Sequence, residues 1–200
     1  MDLPVTTALV LCGGKGTRLV DTETEKPLVE ICGTPMVDRV CNALRASSIE
    51  TVVCVTSPHT PETTTYLESQ PDLTVIETSG EGYVADLSAA LEGLSMPVLT
   101  VTADLPLLTG SLIDDVCQSL IVPVRSTTVC VPVARKRALG LSVDTSFTPA
   151  GVDDSVTPSG VNTVASGGEE TIVRTDLELA VNVNRPADRA VAERYCSHNG

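Results

Sequence analysis

An apolar run from Thr7 to Leu11 breaks without transition into Cys12-Gly13-Gly14-Lys15-Gly16-Thr17-Arg18. The three glycines strip away side chains, so backbone N–H groups can close around an anion at the carboxyl end of a strand, the edge where open α/β sheets hold ligands. Lys15 and Arg18 add charge, and Lys26-Pro27-Leu28 brings a third cation. The segment reads as a grip for a polyphosphate. It is not a Walker A loop, which ends in Gly-Lys-Ser/Thr, because Lys15 lies between glycines. Nor does it match the dinucleotide fingerprint.

These cations are local exceptions in an acidic chain. The 200 residues carry 26 Asp and Glu against 13 Lys and Arg, a formal charge of −13, which repels phosphate polyanions overall and argues against a nucleic-acid partner. Strong acidity with few lysines also resembles the hydrated surfaces of proteins from salt-rich cytoplasms, a halophilic trait. The length suffices for one domain whose core needs no disulfide. The 7 cysteines, Cys12, Cys32, Cys41, Cys54, Cys117, Cys130 and Cys196, include no C-x-x-C pair. With neither a secretory leader nor a transmembrane run in view, they are expected to be small core residues in a reducing cytoplasm. His59 and His198 are too isolated for a metal site or a Ser-His-Asp triad.

Strand-like and helix-like stretches alternate through the first half. That is the pattern of βαβ units, and it predicts an α/β, Rossmann-like single domain over 1–200 with a mostly parallel central sheet and helices on both faces. Strands are predicted over 7–11, 51–56, 73–77, 97–102 and 127–133. Helices are predicted over 35–46, from Pro61 with Thr60 as N-cap, over 83–94 and over 111–120. Residues 140–170, rich in Gly, Ser, Thr, Pro and Asp, are expected to form an irregular insert over the sheet edge. A short strand is expected over 178–183, and a last helix from Pro186 to about Tyr195.

The strand ends gather further polar groups at one edge. Asp104 closes the fourth predicted strand, and a carboxylate there suits Mg²⁺, which takes one or two protein carboxylates plus phosphates and waters. Thr56 and Ser57 follow the second strand and Thr78, Ser79 and Gly80 the third, where hydroxyls and backbone groups can read a purine. Asn182 and Asn184 alternate, so a strand would turn both to one face. Asp188 reads as a first-turn helix residue rather than a ligand.

The opening segment resembles the nucleotidyltransferase signature, Leu-x-x-Gly-x-Gly-Thr-Arg followed by Lys-Pro-Leu, carried here by Leu11, Gly14, Gly16, Thr17, Arg18, Lys26, Pro27 and Leu28. Those enzymes join a nucleoside monophosphate to an acceptor and release pyrophosphate. The resemblance implies a nucleotide held by Leu11, Gly13, Gly14, Lys15, Gly16 and Thr17. It puts Lys15 and Arg18 on the β and γ phosphates and Lys26 at the α-phosphate. It also implies a metal role for Asp104, which precedes Leu105-Pro106, and for the late Asn-x-Asn segment Asn182-Val183-Asn184.

Three more stretches are similar to those of the archaeal-type GTP:adenosylcobinamide-phosphate guanylyltransferases. They run from Val55 through Thr56-Ser57-Pro58 to Thr63, from Glu77 through Thr78-Ser79-Gly80 to Leu87, and from Pro158 to Val164. This likeness implies transfer of GMP from GTP to adenosylcobinamide phosphate, with Arg18, Lys26 and Asp104 at the chemistry. Thr56, Ser57, Thr78, Ser79 and Gly80 would surround GTP, while Asp104, Asn182 and Asn184 would face Mg²⁺. Gly160, Asn162 and Asn184 would meet the acceptor, with Gly160 allowing its close approach. No Walker A kinase motif accompanies them, so the acceptor must arrive already phosphorylated. Another nucleotidyltransferase, of molybdopterin guanylyl or sugar-phosphate type, and a non-catalytic nucleotide-binding protein are the competing readings. A homodimer is left open.

Overall fold

The computed structural model of the chain describes residues 4–14, 16–19 and 24–196. Its first strand, β1 (Thr7–Leu11), sends Ala8 and Val10 into one apolar cluster and Leu9 into another. Successive side chains of a strand point to opposite faces, so this one strand seeds two cores. A hairpin follows, β2 (Glu30–Ile31) and β3 (Thr34–Pro35), turning through Cys32 at φ 50° and Gly33 at φ 73°. The regular alternation is α1 (Met36–Arg45), β4 (Thr51–Thr56), α2 (Pro61–Glu68), β5 (Thr74–Glu77), α3 (Tyr83–Leu91), β6 (Val98–Thr102) and α4 (Gly110–Gln118). The chain then runs through β7 (Ser126–Pro132), α5 (Val133–Ala138), β8 (Val156–Val164), β9 (Glu169–Val173), α6 (Leu177–Ala180) and α7 (Pro186–Cys196).

One sheet takes the order β5-β4-β1-β6-β8-β7-β9. β1 pairs in parallel with β4 and β6, β4 with β5, and β7 with β9; β8 runs antiparallel to both β6 and β7. On one face Val40 and Leu44 of α1, Ile113 and Val116 of α4 and Ala192 of α7 share a cluster with Val10, Leu99 and Val101. On the other, Leu87, Ala90 and Leu91 of α3 pack on Leu9, Val53 and Val55. The expected mostly parallel sheet with helices on both faces is therefore present. Among the described residues no helix is long and apolar enough to cross a membrane.

Two expectations fail in the second half. The segment 140–170 is not irregular throughout: β8 occupies 156–164 and sits inside the sheet. Proline and glycine within a run argue against a strand, yet here the register slips between Thr128 and Cys130 of β7, where Gly160 takes φ 97°. Such a bulge absorbs residues that a regular ladder would reject. The predicted strand over 178–183 is absent; Leu177–Ala180 is a helical turn, and the outer strand is β9 instead. Glu178, Leu179 and Ala180 are all good helix formers.

No disulfide joins any of the cysteines, and Cys12, Cys41, Cys54, Cys117 and Cys130 are buried as expected, whereas Cys32 is exposed. Burial pushes the Cys130 thiol up to about 11, the behaviour of a small core hydrophobe rather than a nucleophile. His198 lies outside the described residues.

Candidate active site

The carboxyl ends of β1, β4, β5 and β6 open onto a cavity of about 430 Å³, walled by Gly13, Gly14, Thr78, Gly80, Lys26 and Asp104 among others. The glycine loop is fixed from behind. Ser57, fully buried, donates its hydroxyl to the Gly13 carbonyl at 2.9 Å. Gly16 has φ 60°, and a Cβ there would lie 2.8 Å from Lys26 Cβ. Glycine is thus what lets the loop and the Lys26 turn touch.

That turn has a second anchor. Glu25 accepts from the Glu62 and Thr63 N–H groups at 2.9 and 2.7 Å and from Thr63 Oγ1 at 2.6 Å. A carboxylate there satisfies orphan donors at the start of α2 and complements its dipole. Thr60, expected to cap α2, holds the N-cap position but makes no side-chain cap bond.

Lys26 is consequently aimed inward. Its Nζ donates to Asp104 Oδ2 and to Asn184 Oδ1, both at 2.6 Å. Asp104 Oδ1 accepts from Thr102 Oγ1 at 2.6 Å, and the Asp104 carbonyl accepts from Val183 N–H at 2.9 Å. One cation is thereby shared by a carboxylate and an amide oxygen at the cavity mouth. Arg18 stands farther out, paired with Asp144 at 3.0 Å; Arg185 holds the other oxygen of Asp144 at 2.7 Å. Lys15 lies outside the described residues.

The other expected site residues divide. Leu11, Gly13, Gly14, Thr78 and Gly80 line the cavity. Thr56 and Ser57 are completely buried behind it, so their hydroxyls do not read a base. Ser79 is exposed and donates to Glu81 at 3.3 Å, and Thr17 is exposed on the loop. Asn162 sits on β8 opposite Thr100, half-buried. Asn182 has a different partner from Asn184: its Oδ1 accepts from Lys136 Nζ, a buried side chain. Lys136 is only 3% exposed. Burial pushes its pKa down from the ordinary lysine value, opposed by the carboxylates of Asp188, Asp104 and Asp144. Asp188, in the first turn of α7, is fully buried and accepts from Ser142, Asn184 and Arg185.

Gly160 has a packing role that the sequence does not announce. A Cβ on it would lie 2.2 Å from Thr102 Oγ1, the hydroxyl that holds Asp104. Gly160→Ala is therefore expected to push Thr102 off Asp104, to cost about 1–3 kcal/mol through overpacking and to lower turnover about tenfold as an outer support is lost. Melting curves and steady-state rates check both; an unchanged rate would show that Thr102 does not support Asp104.

Sequence reasoning passed over several residues that matter here. His59, Glu81, Tyr83 and Asp86 also wall the cavity, and their signal was position, directly after the β4 and β5 ends. Lys136, Asp144 and Arg185 reach the site from distant elements and carry no local pattern. Among the described residues no group of three or more His, Cys, Asp and Glu gathers to hold a metal.

The sequence profile of the MobA-like NTP transferase domain matches residues 8–174. The chain belongs to this family. It is thus a nucleotidyltransferase, and the match spans both the glycine loop and Asp104. The adenosylcobinamide-phosphate guanylyltransferase of Methanocaldococcus jannaschii is 32% identical to this transferase over 96% of the chain and 98% of that protein. The bifunctional protein GlmU of Latilactobacillus sakei is 32% identical over 52% of the chain and 22% of its own length. Among solved structures, a nucleotidyl transferase from Methanothermobacter aligns with a TM-score of 0.67 at 13% identity, covering 97% of this chain and 98% of that one. A CMP:2-keto-3-deoxy-manno-octonic acid synthetase complexed with CTP aligns with a TM-score of 0.65 at 14% identity, covering 98% and 99%. At these identities the two structures establish the fold alone.

Proposed function

We propose that this transferase moves GMP from GTP to the phosphate of adenosylcobinamide phosphate, giving adenosylcobinamide-GDP and pyrophosphate. The chemistry rests on one observation, Lys26 Nζ at 2.6 Å from both Asp104 and Asn184 where the glycine loop meets the cavity. The acceptor rests on the likeness to the Methanocaldococcus protein of that name along nearly its whole length.

An acceptor phosphate oxygen attacks the α-phosphorus, the bond from that phosphorus to the bridging oxygen breaks, and the electron pair departs with pyrophosphate. Lys26 neutralises charge at the α-phosphate, where it shifts during transfer. Lys15, Arg18 and the N–H groups of the glycine loop hold the β and γ phosphates. Glu81 and Asp86 on the cavity wall are acceptors that match the N1–H and 2-amino donors of guanine and not the N1 acceptor of adenine. Mg²⁺ fits the donors present, one carboxylate (Asp104) and one amide oxygen (Asn184), with phosphates and waters completing its shell. When bound, it supplies further neutralisation of the transferring phosphates. Asn182 is left out of that set, because its partner Lys136 is buried whereas Lys26, the partner of Asn184, lines the cavity.

Cysteines without disulfides and an acidic composition accord with a reducing, salt-rich cytoplasm. The test is therefore pyrophosphate release at high salt under reducing conditions with Mg²⁺, offering GTP, CTP, UTP or ATP with and without adenosylcobinamide phosphate. Release confined to GTP with the phosphorylated corrinoid is the expected result. Release with GTP and a different acceptor would overturn the acceptor assignment alone.

A further inference from the structure

Lys136 takes no part in the chemistry above, and its burial needs a reason. It is the middle cation of Arg135-Lys136-Arg137 on α5; both arginines are exposed, whereas Lys136 turns inward. A desolvated ammonium persists only where partners compensate it. Its hydrogen-bond partner is Asn182, and the carboxylates facing it are those of Asp188, Asp104 and Asp144.

Asn182 opens a segment whose placement has to come from somewhere. Residues 181–184 form no helix or strand, and no strand of the sheet pairs with them. They are fastened one by one instead. Asn182 is held by Lys136, and Val183 N–H donates to the Asp104 carbonyl at 2.9 Å. Asn184 N–H and Arg185 N–H donate to Asp188 Oδ2 at 3.1 and 2.9 Å. Asn184 is then left with its side-chain oxygen on Lys26 Nζ. Two lysines thus grip alternate asparagines of Asn-Val-Asn, one from the interior and one from the cavity.

We propose that Lys136 is a positioning residue: by clamping Asn182 it sets the Asn-Val-Asn segment so that Asn184, with Asp104, holds the Lys26 ammonium where the transferred phosphate passes. Lys136 touches neither substrate. The turnover part of the proposal rests on the GMP-transfer reading; the clamp itself does not.

Two readouts separate them. In the first, amide exchange at Val183 and Asn184 is expected to accelerate about tenfold in Lys136→Met and in Asn182→Leu, and to stay at the wild-type rate in Asn182→Asp, whose carboxylate keeps the lysine. In the second, Lys136→Met and Asn182→Leu each lower kcat about tenfold with KM for GTP unchanged, and Asn182→Asp restores most of it. The double variant Lys136→Met/Asn182→Leu is no slower than the slower single one, because both remove the same clamp.

Equal exchange rates in Asn182→Leu and Asn182→Asp would overturn the clamp, and that pair decides even if Lys136→Met does not fold. Multiplicative kcat losses, or a raised KM for the acceptor at unchanged kcat, would overturn the positioning role in favour of a direct one. Wild-type protein with no turnover on GTP and adenosylcobinamide phosphate would sink the functional reading, while exchange still decides the clamp.

Discussion

Asp104→Asn is expected to lower pyrophosphate release on the order of 10²–10³-fold while GTP still stabilises the fold. Each carboxylate oxygen has one partner and keeps a further lone pair: Oδ1 receives Thr102, and Oδ2 receives Lys26 at 2.6 Å. Asparagine keeps the volume and one acceptor, so the fold should survive. What goes is the negative charge that holds the Lys26 ammonium in place and the only carboxylate proposed for Mg²⁺. Most of the cavity wall, from the glycine loop to Thr78 and Gly80, is untouched by the change. A ligand at a hundred times its Kd adds about 2.7 kcal/mol to stability, roughly 5–10 °C in Tm for a chain of this size. Thermal shift with GTP alone should therefore match wild type while the rate collapses. Full turnover in this variant would point to a nucleotide-binding protein whose Asp104 is structural. Loss of the thermal shift would instead make Asp104 part of the nucleotide grip.

The parallel half of the sheet was legible because its signal is local. Ala8, Leu9 and Val10 alternate between two cores, and each strand there ends in a turn of Gly, Ser, Thr or Asp. The places of the glycine loop and Asp104 followed from the same argument, since both stand at strand ends. β8 was hidden because Pro158, Ser159, Gly160 and Asn162 disfavour strands on their own. Its place between β6 and β7 comes from neighbours distant in sequence, and the bulge that admits it is visible only once the register is known. The partner of Asn182 was hidden for a related reason: Lys136 lies 46 residues away, and no local pattern points to it. Thr56 and Ser57 were placed at the right edge but on its inner side. Their chain position gave no sign that Ser57 would spend its hydroxyl on Gly13.

Lys26 carries the other large effect. Its side chain and that of Asp104 are 17% and 14% exposed, so the pair is shielded from most of the solvent that weakens surface ion pairs. The lysine is held from three directions: Gly16 leaves room for it, Glu25 ties its turn to α2, and Asn184 receives it across the cavity mouth. Such preorganisation matters for a charge that must meet the α-phosphate without rearranging. Lys26→Met keeps the chain length and removes the charge, and is expected to reduce kcat on the order of 10²–10³-fold. Asp104 Oδ2 and Asn184 Oδ1 would then face each other as two acceptors with no donor between them, which costs about 1–3 kcal/mol of stability. Lys26→Arg should not recover the rate, because a planar fork cannot fill the place of a compact ammonium with a partner at 2.6 Å on either side. The decisive reading is how the loss divides. A role made in the transition state lowers kcat and kcat/KM together, whereas a role in ground-state binding raises KM for GTP and leaves kcat alone. The second outcome would move Lys26 from the chemistry to the nucleotide grip and leave Asp104 and Asn184, the proposed metal ligands, to act at the α-phosphate.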